Sequence, residues 1–183
     1  SKIEKPRIEK QFYPITDKKF ICISQKAETD SKSYDFFDDV VFHIKPYLDK
    51  ENISIVEIGK SERAPIFYCK NLSHLHRMQI AYVISKSLMY IGNYNLYANI
   101  SSHFNKNTIC VSNNDYTDTF RPYWGGNNCL MLTPDSESKP SLAPLEHPKT
   151  INDINPEEVA SHILDSLEIP HKLDIVSTIL VNL

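Results

Sequence analysis

Apolar residues in this 183-residue chain come in short, nearly continuous runs, separated by stretches where they recur every three or four positions. Lys19–Ser24 (KFICIS) and Ile53–Gly59 (ISIVEIG) are β-branched runs bounded by polar residues, the pattern of strands covered on both faces. Between them, Phe36, Phe37, Val40, Val41, Ile44, Tyr47 and Leu48 mark one face of a helix over Ser31–Lys50, with Pro46 a point where it kinks or ends. Pro65–Cys69 (PIFYC) reads as a third strand, followed by a helix that carries Leu75, Met78, Ile80, Ala81, Val83 and Ile84. Leu88–Ile91 reads as a strand ending at Gly92, Leu96–Phe104 as a short helix, and Thr108–Ser112 and Cys129–Thr133 as two more strands. Pro156–Leu167 is a helix with Asn155 as N-cap, Pro156 at its first position and acids in its first turn.

Uniformly apolar strands alternating with helices predict an α/β fold, a parallel sheet with helices on both faces. Such sheets bind ligands outside the carboxyl ends of their strands, so the loops after Ser24, Gly59, Gly92 and Ser112 are where chemistry is expected. The pattern divides the chain into a basic, polar extension (residues 1–18), the α/β domain (19–168) and a carboxyl-terminal segment (169–183). Within it Leu173–Leu183 is apolar to its end, and is expected either to begin a further element of a longer protein or to be a terminal element that packs on a partner.

Composition narrows the function classes. A net charge of −3 lacks the excess of Lys and Arg that a nucleic-acid partner demands. The longest apolar stretches fall short of the ~20 residues of a membrane span. The first ten residues lack the apolar core of a signal peptide, so a cytoplasmic setting is expected, with Cys22, Cys69, Cys110 and Cys129 as core thiols. The glycines Gly59, Gly92, Gly125 and Gly126 cannot compose GxGxxG or a P-loop, and no GxSxG elbow occurs, so no cofactor is expected. His74 and His76, two residues apart, do not share a helical face, so no metal is expected there either. Asp115–Asp118 reads as a solvated turn. Glu57, inside an apolar strand, requires a partner or a ligand. The loop Tyr116–Asn128 gathers Tyr116, Phe120, Arg121, Pro122, Tyr123 and Trp124, suited either to stacking on a base or sugar ring or to a satellite core.

Asn71–Gly92, reading NLSHLHRMQIAYVISKSLMYIG, resembles the segment of heptosyltransferase-like glycosyltransferases in which an Asn-Leu-Thr-Gly turn leads into a helix and then a strand. The helix Tyr94–Phe104, the strand TICVS and the loop FRPYWG follow in the family's order. The resemblance runs from Lys19 to Leu167, over the second, nucleotide-sugar-binding half of a two-domain GT-B enzyme. It implies a Rossmann-like sheet, a nucleotide-sugar donor for glycosyl transfer, and an acceptor held by a partner domain that also supplies the catalytic base. It places Ser24-Gln25-Lys26 and Gly59-Lys60-Ser61 beside the nucleotide, with Lys26 and Lys60 as diphosphate cations. Asn93, Asn95 and Asn99 would donate hydrogen bonds at the helix start, with Arg121 and Trp124 also as ligand contacts. The family's Asp-Ser-Gly-x-x-His signature is absent: Asp-Ser-Gly falls on Tyr94-Asn95-Leu96 and the His on Asn99. Leu96 in place of Gly crowds a phosphate approach. A degenerate, non-catalytic ligand- or partner-binding module is therefore the alternative, and a flavodoxin-like or other doubly wound domain is a third reading that the sheet order separates.

Overall fold

The computed structural model describes residues 18–113, 128–134 and 148–173. The Asp115–Asp118 turn, the aromatic loop with Arg121 and Trp124, and most of both terminal segments lie outside the described residues. The elements run β1 (Phe20–Ser24), α1 (Phe37–Lys50), β2 (Ser54–Glu57), β3 (Lys70–Asn71), α2 (Arg77–Lys86), β4 (Met89–Asn93), α3 (Leu96–His103), β5 (Asn107–Val111), β6 (Cys129–Leu132) and α4 (Pro156–Ser166). Two short 3-10 turns, Asp30–Lys32 and Thr150–Asp153, sit among them.

The six strands are parallel throughout and ordered β3-β2-β1-β4-β5-β6. That is the doubly wound Rossmann order and not the flavodoxin order, so the carboxyl ends of β1 and β4 flank the topological switch point. Alternation along each strand sorts the core into two layers. Ile21, Ile23, Met89, Ile91, Ile109 and Val111 pack under α1 and α4, while Phe20, Cys22, Val56, Tyr90 and Cys110 pack against α2 and α3. The fully buried Cys22 is the inert core thiol expected of it, and burial pushes its pKa up to about 12.

Two expected elements differ. Pro65–Cys69 is not a strand: Ile66 N donates to the Glu57 carboxylate at 2.8 Å and Tyr68 takes a left-handed φ of 68°, so the chain turns and pairs with β2 only at Lys70–Asn71. The helix expected from Ser31 begins at Phe37, because Tyr34 N and Asp35 N are held by the side chains of Asn93 and Asn152 at 2.9 and 3.1 Å. Pro46 interrupts nothing; it lies on the exposed side of α1, with Phe42, the residue whose carbonyl it leaves unbonded, also exposed to water. The Asn155 cap of α4 forms as expected, its Oδ1 accepting from Glu157 N at 2.9 Å.

Gly92 sits where the chain cannot carry a side chain. A Cβ there would stand 2.5 Å from both the Ser24 carbonyl oxygen and the Tyr90 hydroxyl. Gly92→Ala is expected to cost about 2 kcal/mol as an overpacking defect, read as a lowered urea midpoint with unchanged slope; an unshifted midpoint would show that the β1–β4 junction is looser than described.

Candidate functional site

At the switch point the sequence brings together Ser24, Gln25 and Lys26 after β1 with Asn93 and Asn95 after β4. Asn93 is fully buried, and its amide group ties together the two ends of the β1–α1 connection: Nδ2 donates to Gln25 O and Oδ1 accepts from Tyr34 N, both at 2.9 Å. Asn95 caps α3, its Oδ1 accepting from Tyr97 N at 2.8 Å and from Ala98 N at 3.3 Å. The same oxygen accepts from the Tyr90 hydroxyl at 3.0 Å, while Nδ2 donates to Ser24 Oγ and Lys26 O at 3.3 and 2.8 Å. The polar atoms of both residues are thus bonded to the protein itself. The crevice between β1 and β4 is filled by Tyr90, Asn93 and Asn95, and the first amides of α3 already have an acceptor. Asn99 lies one turn further along α3, half-buried.

The open space is displaced toward β2. A cleft of about 320 Å³ lies between the segment after β1 and the segment after β2, lined by Gln25, Lys26, Asp30, Ser33, Lys60 and Arg63. Gly59, at φ 80° and with the Tyr97 ring where its Cβ would stand, lets the chain leave β2 tightly against α3. Lys26 and Lys60 are exposed, and neither has a carboxylate partner among the described residues. Lys26 Nζ stands 5.7 Å from the centre of the Tyr97 ring. Of the acids at the rim, Glu28 pairs with Lys32 at 3.0 Å and Asp30 lies 3.6 Å from Lys149, while Glu62 is exposed beside Lys60 and Arg63. A larger depression of about 620 Å³, lined by Lys19, Lys45, Asp49 and Asn52 among others, lies at the amino ends of β1 and β2. It is at the wrong end of a parallel sheet for ligand binding, and its Lys45 and Asp49 are paired with each other.

Glu57 closes the carboxyl end of β2. One carboxylate oxygen accepts from Gln25 Nε2 at 2.9 Å, the other from Ile66 N at 2.8 Å. The partner required by its position is the protein. In dinucleotide-binding sheets an acid at this place holds ribose hydroxyls; here both oxygens are spent on shaping the loop that follows β2.

A second cluster, which sequence reasoning misses, stands behind the cleft. The Asp35 carboxylate is bonded by Lys149 Nζ at 2.6 Å, by Asn152 Nδ2 at 2.7 Å and by Arg63 Nη1. Lys149 is almost wholly buried and also donates to Ser33 O at 2.8 Å. Residues 35, 63, 149 and 152 are far apart in sequence and follow no spacing rule, so only the fold assembles them. His76, weighed as a metal ligand, instead caps α2, its Nδ1 accepting from Met78 N while its own N–H donates to Gln79 Oε1 at 2.9 Å.

No protein-family model matches the sequence, and no curated protein matches it significantly. Solved structures match its shape. An E. coli ADP-heptose lipopolysaccharide heptosyltransferase II superposes with a TM-score of 0.66 at 16% identity, covering 91% of this chain and 52% of the enzyme. The fold is heptosyltransferase-like. A glycosyl transferase family 9 protein from Veillonella parvula matches equally, TM-score 0.66 at 13% identity over 91% of this chain and 51% of its own. An E. coli heptosyltransferase solved with ADP gives 0.61 at 11% identity over 84% of this chain and 46% of the enzyme. The chain therefore spans about half the length of the heptosyltransferases it resembles. Among the described residues no helix is long and apolar enough to cross a membrane.

The Asp35 cluster makes stability pH-dependent in a defined direction. Partial burial raises the Asp35 pKa, but hydrogen bonds from Lys149, Asn152 and Arg63 outweigh burial and hold the carboxyl down at about 2, against an ordinary 3.8. A depressed folded-state value means that this contribution is complete above about pH 4 and is lost as pH falls through about 2. Urea titrations between pH 5 and 2 are expected to show the stability gap between wild type and Asp35→Asn narrowing over that window; a constant gap would deny the carboxylate its ionic role.

Proposed function

We propose that this chain is the carboxyl-terminal, nucleotide-sugar-binding half of a two-domain glycosyltransferase, holding a donor over the cleft between Ser24-Gln25-Lys26 and Gly59-Lys60-Ser61. The observation that carries this reading is the pair of lysines, Lys26 and Lys60, that have no carboxylate partner among the described residues and face one cleft at the carboxyl end of a heptosyltransferase-like sheet. Two positive charges at the mouth of such a cleft suit a diphosphate. Acceptor and catalytic base belong to the other half of the enzyme, so the chain alone binds donor without turning it over. Of the carboxylates bordering the described cleft, Glu57 is sequestered and Asp35 is locked among cations.

One observation favours a second reading. Asn95 fills the start of α3, the place where the family signature would put small residues and a diphosphate, which is the arrangement expected of a module that has lost donor binding.

Thermal unfolding against a panel of nucleoside diphosphates and nucleotide-sugars separates the two. A ligand at a hundredfold excess over its dissociation constant stabilises the native state by about 2.7 kcal/mol, a rise of roughly 5–10 °C for a chain of this size. The donor reading expects such a rise for one nucleotide family and its loss in Lys26→Ala/Lys60→Ala. No rise with any of them leaves the non-catalytic module.

A further inference from the structure

The guanidinium of Arg63 is held in an unusual way. All of its hydrogen bonds leave from one nitrogen: Nη1 donates to Asp35 Oδ1, to Ser33 Oγ at 3.0 Å and to Tyr34 O at 3.3 Å. Nε and Nη2 have no protein partner among the described residues, although the side chain lines the cleft beside Lys26 and Lys60 and is only about one-third exposed. Its anchor is rigid in turn, since Asp35 is fixed from the other side by Lys149 and Asn152. The backbone that carries Arg63 is pinned as well, because Ala64 O accepts from Gln25 Nε2 at 2.9 Å and Ile66 N is bound to Glu57. A planar fork whose orientation is set on one side and whose other donors are unspent is what recognition of a tetrahedral or planar oxyanion requires. Lysine, a point charge on a flexible stem, supplies attraction without that geometry.

We propose that Arg63 is the oxyanion-selecting residue of the cleft, its free Nε and Nη2 edge taking the phosphate of the bound ligand, with Asp35 as the positioning residue that aims it. Lys26 and Lys60 attract the anion, and Arg63 fixes where it sits. This rests on the donor reading for the identity of the ligand, but not for the chemistry of the site: a phosphate-bearing ligand of any kind meets the same fork. The cleft lies on the β1–β2 side of the switch point, away from the amides of α3 that Asn95 occupies, so the anion is held by side chains and not by a helix end.

The test is calorimetric titration of the whole chain with pyrophosphate, ADP and adenosine, on wild type, Arg63→Lys and Arg63→Ala. Wild type is expected to bind pyrophosphate and ADP and not to distinguish itself from the variants with adenosine. Arg63→Ala should weaken both phosphate ligands at least tenfold, and Arg63→Lys, which keeps the charge and loses the fork, should recover only part of that. Because Arg63→Ala also removes contacts to Ser33 and Asp35, the wild-type protein gives a reading that needs no folded variant: the Arg63 Nε–H resonance should shift on adding pyrophosphate. Pyrophosphate binding by wild type without selectivity for any nucleotide defeats the donor reading and leaves the Arg63 assignment standing. Unchanged phosphate affinity in Arg63→Ala, an unmoved Nε–H resonance, or no pyrophosphate binding by wild type overturns the assignment.

Discussion

The working end of this sheet depends on the buried amide of Asn93. Its two polar atoms join the turn after β1, through Gln25 O, to the end of the segment that leads into α1, through Tyr34 N. Each partner is a backbone group that would otherwise be buried without a hydrogen bond, at roughly 1–3 kcal/mol apiece. From that junction the order spreads outward. Gln25 reaches from β1 to the Glu57 carboxylate and to Ala64 O, and Glu57 holds Ile66 N, so the long segment after β2 is set against the end of β1. Tyr34, fixed by Asn93 at its amide, donates its hydroxyl to Ile154 O at 2.7 Å and so ties in the segment before α4.

This network decides where space is left at the end of the sheet. In the Rossmann order the crevice between β1 and β4 is the natural binding place, and the amides at the start of the following helix are its anion site. Here Tyr90, reaching over Gly92, and Asn95, capping α3, occupy that place. Space remains one strand over, between the ends of β1 and β2, in a cleft lined by Lys26, Lys60 and Arg63. The likeness to heptosyltransferases is one of fold; the chemistry of the cleft is this chain's own.

Most of the fold was legible in the sequence because its signals are local. β-branched apolar runs such as FICIS and TICVS, alternating with helical periodicity, fit buried parallel strands, and Asn155-Pro156 followed by two acids is a strong helix start. The Pro65–Cys69 run misled because its apolar residues serve a turn: Ile66 is buried under the Glu57 clamp while Phe67 and Tyr68 stand exposed, a division invisible to hydrophobicity alone. Lys26 and Lys60, which the resemblance places beside the nucleotide, line one cleft. Asn93 and Asn95, placed by the same resemblance, have their side-chain polar atoms bonded to the protein. Arg63, Asp35 and Lys149 escaped because nothing in their spacing marks them; a charge cluster built from three separate loops exists only once the strands have been ordered.

The proposed donor site lies on the β2 side of the switch point and not on the β4 side. A crystal structure of the chain soaked with ADP tests it most directly. The phosphates are expected between the segment after β1 and the segment carrying Lys60 and Arg63, with Asn95 still capping α3. Phosphates seated on the amides of Tyr97 and Ala98, with the Asn95 side chain swung away, would contradict it.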